Sequence, residues 1–205
     1  MILKSDRIAD RLEQKETSDP LVITPQPSVE SLKKGGAASV DLRLGTWFVT
    51  LRKSRKASFS PGEEATEPVE SRLTKKHYVP FGKDFILHPR NFVLGVTLEW
   101  IRVPGDLAGY VVGKSSWGRH GLVIATAVGV HPGFAGCLTL ELSNLGEIPI
   151  HVKPGMTICQ LFLHKADSSS ERIDLSRFVG QRRPALGTIK TDDVAKRLGQ
   201  AQNLQ

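Results

Sequence analysis

Runs of alternating apolar and polar residues recur along this chain, and glycine or proline separates them. The segment from Ser39 to Gly45 alternates, and the stretches from Phe92 to Leu98 and from Cys137 to Leu142 are apolar enough for buried or half-buried strands. Turn signals recur about every ten residues, which is typical of β-barrels and jelly-roll sandwiches. The pattern therefore predicts a mainly β fold, a distorted barrel or jelly roll. Further strands are predicted at residues 21–25, 47–51, 85–87, 107–112, 122–125, 148–152 and 157–163.

Helices are predicted to be few, short and peripheral. Residues 5–14 have the apolar spacing of a helix, with Ser5 available as its N-cap and with Ile8 and Leu12 on one face. Two further helical segments are predicted, a polar turn at residues 115–121 and a terminal helix at residues 192–198.

The chain is long enough for one domain followed by a tail. We predict a β-barrel domain over residues 1–165 and a C-terminal tail over residues 166–205. Residues 52–77 are rich in charge, serine, proline and glycine and have no apolar period. This composition predicts a long exposed excursion from the barrel.

The charge of the chain favours an anionic partner. The formal net charge is +7 and the isoelectric point is about 9.6. The basic residues are scattered, however, and aromatic residues make up only 6% of the chain. A basic surface without interleaved aromatic residues argues against nucleic-acid binding.

The cysteine and hydropathy patterns indicate a cytoplasmic protein. Cys137 and Cys159 both lie in apolar runs, where small buried thiols are expected in a reducing compartment. No Cys/His spacing matches a zinc site. No apolar run approaches the roughly 20 residues needed to span a membrane, and residues 1–7 do not resemble a signal peptide.

Glu141 is the acidic residue with the most informative setting, because it lies in an otherwise apolar strand. Alternation places its two sets of neighbours on opposite faces: Cys137, Thr139, Glu141 and Ser143 on one, and Leu138, Leu140 and Leu142 on the other. The leucine face is the expected core. Glu141 is then either a solvent-exposed strand residue or a partly desolvated carboxyl suited to transferring protons.

Two neighbouring segments offer groups that could bind a nucleotide. Gly113 to Arg119 follows a predicted strand and supplies cations, hydroxyls and backbone N–H groups, which suit phosphate oxygens, although a serine-rich helix cap is an equal interpretation. Phe134 offers a platform beneath a sugar or a core side chain. His131 is either a ligand contact or a solvated turn residue.

Six stretches of the chain together carry a resemblance. They are Ser39–Gly45, Gly113–Arg119, His131–Gly136, Leu138–Asn144, Pro154–Leu161 and Arg177–Pro184. With these residues in this order, the chain resembles the dCTP deaminase family of the dCTP deaminase/dUTPase superfamily over most of residues 1–185.

The resemblance implies a dUTPase-like barrel that assembles as a homotrimer with active sites between subunits. It implies hydrolytic deamination of dCTP to dUTP and ammonia, with Mg²⁺ accompanying the triphosphate and no catalytic zinc. It implies Glu141 as the general acid/base, and Ser115 and Arg119 as the residues that position water and stabilise charge at C4. The implied nucleotide contacts are Lys114, Ser115, Ser116, Arg119, His131, Phe134, Thr139, Leu140, Gln160, Arg177 and Gln181, with the tail closing over the triphosphate.

The chain departs from the family pattern at three places. His131 stands where the family usually has the aspartate whose dUTPase counterpart activates water. Ile124-Ala125 replaces a histidine-containing stretch that is one residue longer, and the tail before Arg177 has no tyrosine. Two alternatives therefore stay open: a non-catalytic or regulatory deoxynucleotide-binding homologue, and a dUTPase-like or bifunctional deaminase and diphosphatase.

Overall fold

The computed structural model describes residues 1–14, 16–52, 73–125, 129–167 and 180–187, together with Val194 and Arg197. The helices are α1 (Ser5–Glu13), α2 (Val29–Gly35) and α3 (Ser115–Gly118). The strands are β1 (Val22–Thr24), β2 (Val40–Arg43), β3 (Trp47–Leu51), β4 (Thr74–Tyr78), β5 (Phe85–Leu87), β6 (Phe92–Arg102), β7 (Leu107–Gly113), β8 (Leu122–Ile124), β9 (Gly129–Val130), β10 (Ala135–Asn144), β11 (Ile150–Val152) and β12 (Thr157–Lys165). The predicted class, mainly β with short helices, is confirmed.

Two sheets form the body of the fold. One has the order β4-β3-β6-β10-β8, with β1 also paired to β6, and the other has the order β2-β12-β7-β9. A small third sheet pairs β11 with β5. Both large sheets contribute to one core, since Leu140 and Leu142 of β10 and Leu161 and Leu163 of β12 are all fully buried. Each sheet therefore keeps an outward face for function.

A bulge adjusts the register of β10 just before Glu141. Cys137 lies opposite Trp100 of β6, whereas Thr139 lies opposite Val96. The hydroxyl of Thr97 bridges the irregularity, because it accepts the backbone N–H of Leu138 at 2.9 Å and donates to the carbonyl of Glu99 at 2.8 Å. The backbone N–H of Leu138 at the bulge is thus paired, and regular pairing with β6 resumes at Thr139.

A buried ion pair joins the two sheets. Glu99 of β6 is only 2% exposed, and one carboxylate oxygen accepts Nε–H of Arg43 at 2.7 Å. The other oxygen accepts the backbone N–H of Arg43, on β2, at 2.8 Å. A buried carboxylate needs such partners to offset its lost hydration. The pair therefore fixes β2 against β6.

Two expectations for local structure need correction, and one helix was not predicted. Ser5 does not cap α1: Lys4 is the N-cap, and the Ser5 hydroxyl is buried without a hydrogen bond to the described residues. The exposed excursion does not extend to residue 77, because Thr74–Tyr78 pairs along all of β3 as a charged edge strand. The helix α2 was not predicted; Ser28 caps it by accepting the backbone N–H of Ser31.

Other expectations agree with the structure or lie outside its described part. Ile8 and Leu12 both face the core from α1, as their spacing predicts. Residues 53–72 of the predicted excursion lie outside the described residues, as does Arg177. The predicted terminal helix at residues 192–198 is described only at Val194 and Arg197, so it stays a prediction.

Candidate active site

Glu141 lies half-buried on the outward face of β10. Burial alternates along the whole strand, which confirms that its leucines face the core and that Glu141 shares the other face with Cys137 and Thr139. The backbone carbonyl of Glu141 accepts the N–H of Ala125 at 2.9 Å, immediately after β8. Pairing with β6 on one side and this bond on the other hold the carboxyl-bearing residue in a continuous sheet.

The two residues before Glu141 have opposite surroundings. Thr139 is half-buried on the same face as Glu141. Leu140 is fully buried, and it lies opposite Gly95 of β6. Because Glu141 directs its carbonyl away from β6, strand alternation turns the backbone of Leu140 towards β6. The side chain of Leu140 is therefore a core residue, and a nucleotide contact from its backbone stays a prediction.

The segment from Lys114 to Arg119 forms a single helical turn after β7. Ser115, Ser116 and Arg119 are exposed on it. The ammonium of Lys114 donates to both carboxylate oxygens of Asp41 at 2.8 Å. The predicted phosphate-binding groups are therefore accessible, and Lys114 is already held by a carboxylate on β2.

Gln160 lies beside this ion pair. It is half-buried on β12, in register with Asp41 of β2, and its side-chain oxygen accepts the hydroxyl of Ser39 at 3.2 Å. Cross-strand neighbours in register present their side chains on the same face. Lys114, Asp41 and Gln160 thus form one polar group on the outward side of the four-stranded sheet.

Glu141 and the polar group of Lys114 belong to different sheets. Glu141 is on the outward face of the six-stranded sheet, whereas Asp41 and Gln160 are on the four-stranded sheet. The structure brings Lys114 and Gln160 together around Asp41. The carboxyl expected to transfer protons lies on the other sheet, although α3 also packs against β8, the strand next to β10.

The turn before β10 contains two of the expected contacts. His131 is exposed, and its carbonyl accepts the backbone N–H of Phe134 at 3.1 Å across a turn in which Gly133 has φ 77°. Phe134 is only 8% exposed and belongs to the core. His131 is therefore accessible to a ligand, while Phe134 offers little surface to a sugar.

The described part of the tail lies along β10. The N–H of Gly180 donates to the carbonyl of Ala135 at 2.6 Å, and the carbonyl of Gln181 accepts the N–H of Cys137 at 2.8 Å. The guanidinium of Arg183 lies 4.2 Å from the ring centre of Trp47. Gln181 is thus held by backbone pairing four residues before Glu141 in the strand.

A cavity of about 510 Å³ opens beside this segment. Its wall includes Trp47, Trp100, Cys137 and Arg182. Cys137 shares the outward face of β10 with Glu141, so part of that face lines a cavity. Burial raises the pKa of the Cys137 thiol.

Two residues that touch the site were not predicted as part of it. Asp41 pairs with Lys114, and the indole N–H of Trp117 donates to the carbonyl of Thr157 at 2.9 Å. The alternation of β2 does indicate that Asp41 faces outward. Asp41 is 73 residues from Lys114 in the sequence, and Thr157 is 40 residues from Trp117. The local pattern of the sequence does not indicate contacts over such separations.

The described residues contain no group of three or more His, Cys, Asp or Glu side chains that could hold a metal ion. Both cysteines are free, and burial raises the pKa of Cys159 to about 12. Among the same residues, none of the helices has the length and apolar character needed to cross a membrane.

Comparison with known proteins identifies the family of this chain. A family described as dCTP deaminase-like matches residues 2–166. A protein of Halorubrum lacusprofundi named dCTP deaminase is 42% identical over 84% of this chain and 81% of its own. One of Dictyoglomus turgidum, named dCTP deaminase, dUMP-forming, is 34% identical over 96% of this chain and 98% of its own.

A solved structure also resembles the fold. It is the 2'-deoxycytidine 5'-triphosphate deaminase of Agrobacterium tumefaciens, with a TM-score of 0.57 and 25% identity over 80% of this chain. The present chain spans about half of that protein, 48% of its length. The match over residues 2–166, together with these relatives, establishes that the chain belongs to the dCTP deaminase-like family.

Proposed function

We propose that this protein deaminates dCTP, converting dCTP and water into dUTP and ammonia. The observation that carries the proposal is the half-buried carboxyl of Glu141 on the outward face of β10, in a chain of the dCTP deaminase-like family. The name of the Halorubrum relative supports the same reaction, and the name of the Dictyoglomus relative supports the deamination of dCTP. The reaction class is hydrolytic cleavage of the C4–N bond.

Glu141 is the proposed general acid/base. Its carboxylate takes a proton from the attacking water, whose oxygen adds to C4 of cytosine. It delivers that proton to N3, then takes the second proton from the new hydroxyl on C4 and delivers it to the amine, so that the C4–N bond breaks, ammonia departs and a carbonyl remains at C4. A carboxyl on a continuous strand suits this role, because proton transfer needs a group held within hydrogen-bond reach of its partner.

The exposed groups of α3 complete the proposed chemistry. Ser115 and Arg119 position the water and stabilise the charge that develops on the base. Lys114, Ser115 and Ser116 meet the phosphate oxygens, with Gln160 beside them. The ammonium of Lys114 is a point charge suited to phosphate, and it exchanges Asp41 for the nucleotide when the substrate binds.

We further propose that the active protein is a homotrimer with its sites between subunits. The location of Glu141 and of the Lys114 group on different sheets supports this arrangement. A site between chains can take its carboxyl from one subunit and its phosphate-binding turn from the next. The tail residues Arg177 and Gln181 then close over the triphosphate, and His131 and Thr139 contact the nucleoside.

Magnesium enters this proposal as part of the substrate, bound to the triphosphate oxygens. We propose no catalytic zinc, because protonation by Glu141 and charge stabilisation by Arg119 suffice for the addition of water. Two free cysteines are in keeping with a reducing compartment, and we propose the cytoplasm.

A second product deserves a direct test, because the Dictyoglomus relative is named dUMP-forming. Such a reaction would also hydrolyse the bond between the α- and β-phosphates and release pyrophosphate. His131 argues against it here, since the family usually has at this position the aspartate whose dUTPase counterpart activates water.

The test is to incubate the purified protein with dCTP and Mg²⁺ and to follow ammonia, dUTP, dUMP and pyrophosphate separately. We expect equal amounts of ammonia and dUTP. Equal amounts of dUMP and pyrophosphate would replace the proposal with the bifunctional reaction. Tight binding of dCTP without ammonia would replace it with a regulatory nucleotide-binding role.

A further inference from the structure

The helix α3 begins at Ser115 and is followed directly by its C-cap residue Arg119, yet it is only one turn long. It spans four residues, and its N-cap residue Lys114 makes no side-chain capping bond. An isolated helical turn is not stable in water, because its first hydrogen bond must offset the ordering of several residues. The orientation of α3 is therefore set by contacts with the rest of the fold.

Helical geometry divides the side chains of α3 between two directions. Ser115 and Arg119 are four residues apart and share one face. Trp117 is two residues from each and therefore points about 160–200° away from them around the helix axis. Seating Trp117 against the protein turns Ser115 and Arg119 outward, and both are exposed.

Trp117 is seated by packing and by one hydrogen bond. Its ring is half-buried against the core, and its indole N–H donates to the carbonyl of Thr157, the first residue of β12, at 2.9 Å. The adjoining backbone is tied to the same strand, because the N–H of Lys114 donates to the carbonyl of Ile158 at 3.1 Å. These two bonds join the helix to consecutive residues of β12, so the helix can neither lift nor rotate freely.

We infer that Trp117 is a positioning residue for deamination, whose indole N–H holds α3 in the rotation that presents Ser115 and Arg119 to the reacting base. This inference rests on the proposed function. Lys114 has its own partner in Asp41. The bond from Trp117 therefore acts on the chemical step more than on the binding of the triphosphate.

The test compares Trp117→Phe with Tyr110→Phe. In both variants phenylalanine keeps an aromatic ring and removes the polar group that can donate a hydrogen bond. Tyr110 is a matched control, because it is also half-buried but lies on β7 rather than on α3. For Trp117→Phe we expect kcat and the single-turnover rate of ammonia release to fall roughly tenfold, the factor that one lost hydrogen bond is worth. The KM for dCTP and the melting temperature should match those of the control.

A double-variant cycle separates positioning from a general loss of folding. Trp117→Phe is combined with Arg119→Lys, and the single-turnover rates of all four proteins are measured. If Trp117 acts through the orientation of α3, the double variant loses less than the product of the two single losses. Losses that multiply, or an unchanged kcat in Trp117→Phe, would overturn the inference.

The wild-type rate in the same experiment distinguishes the two proposals. If the wild type releases ammonia and Trp117→Phe releases it at the same rate, the positioning role alone is rejected. A wild type that releases no ammonia would reject the proposed function, and the positioning role with it.

Discussion

The strand β10 and the helical turn α3 hold their functional residues in different ways. Glu141 of β10 lies in a ten-residue strand that is paired with β6, and its carbonyl is bonded to the residue after β8. Arg119 directly follows α3, which is a single turn of four residues. This turn is attached to the rest of the fold through the contacts of Trp117 with Thr157 and of Lys114 with Asp41. The carboxyl is therefore fixed by sheet register, whereas the arginine and serine depend on a few contacts between distant residues.

This difference explains which parts of the site the sequence predicts. The alternation from Cys137 to Ser143 is local, and it was sufficient to predict both faces of β10 and the outward position of Glu141. The position of α3 depends on Thr157 and Asp41, which are distant in sequence. No local pattern reports such contacts, and the family resemblance alone supplied the roles of Ser115 and Arg119.

The fold shows the same limits. Apolar runs predicted most strands, and the exceptions have physical reasons. Thr74–Tyr78 is polar because it is an edge strand with an exposed face, so its sequence resembles a loop. The side chain of Leu140 lies in the core, as the alternation of β10 predicts, and the nucleotide contact that the family resemblance implies for its backbone stays a prediction.

The largest expected effect concerns Glu141 on β10. Glu141→Gln preserves the size of the side chain and removes its ability to take up a proton. We expect kcat for deamination to fall by about 10³-fold, within the range of general acid–base catalysis. Calorimetric binding of dCTP with Mg²⁺ should change by less than about threefold, since the phosphate contacts are elsewhere. Ser143→Ala, on the same face, is the control, and a Gln variant with near-full turnover would refute the assignment of Glu141.

The next effect tests the other face of the same strand. Leu140→Ala removes a fully buried side chain, and we expect the free energy of unfolding to fall by about 2–5 kcal/mol. Urea denaturation measures this change, with Ser143→Ala expected to stay within about 1 kcal/mol. A loss as small as that of the control would mean that Leu140 is not a core residue.

The smallest effect sharpens the comparison at α3. Asp41→Asn removes the charge that holds Lys114, in a pair whose side chains are 52% and 31% exposed. Exposed pairs contribute little, about 0.2–1 kcal/mol, so we expect the KM for dCTP to change by no more than about fivefold. Steady-state kinetics at low and high salt check this, because screening should reduce the difference. Asp84→Asn, at the His151 pair, is the control, and a collapse of kcat would show that Asp41 does more than hold Lys114.

The most direct test asks whether β10 of one chain and α3 of another build one deaminating site. Glu141→Gln and Arg119→Ala proteins, each inactive alone, are unfolded together in equal amounts and refolded. Ammonia release from dCTP should then return to about a quarter of the wild-type rate, because random mixing gives that fraction of sites an intact carboxyl and an intact arginine. Activity no greater than that of the two variants refolded separately would contradict a site shared between subunits.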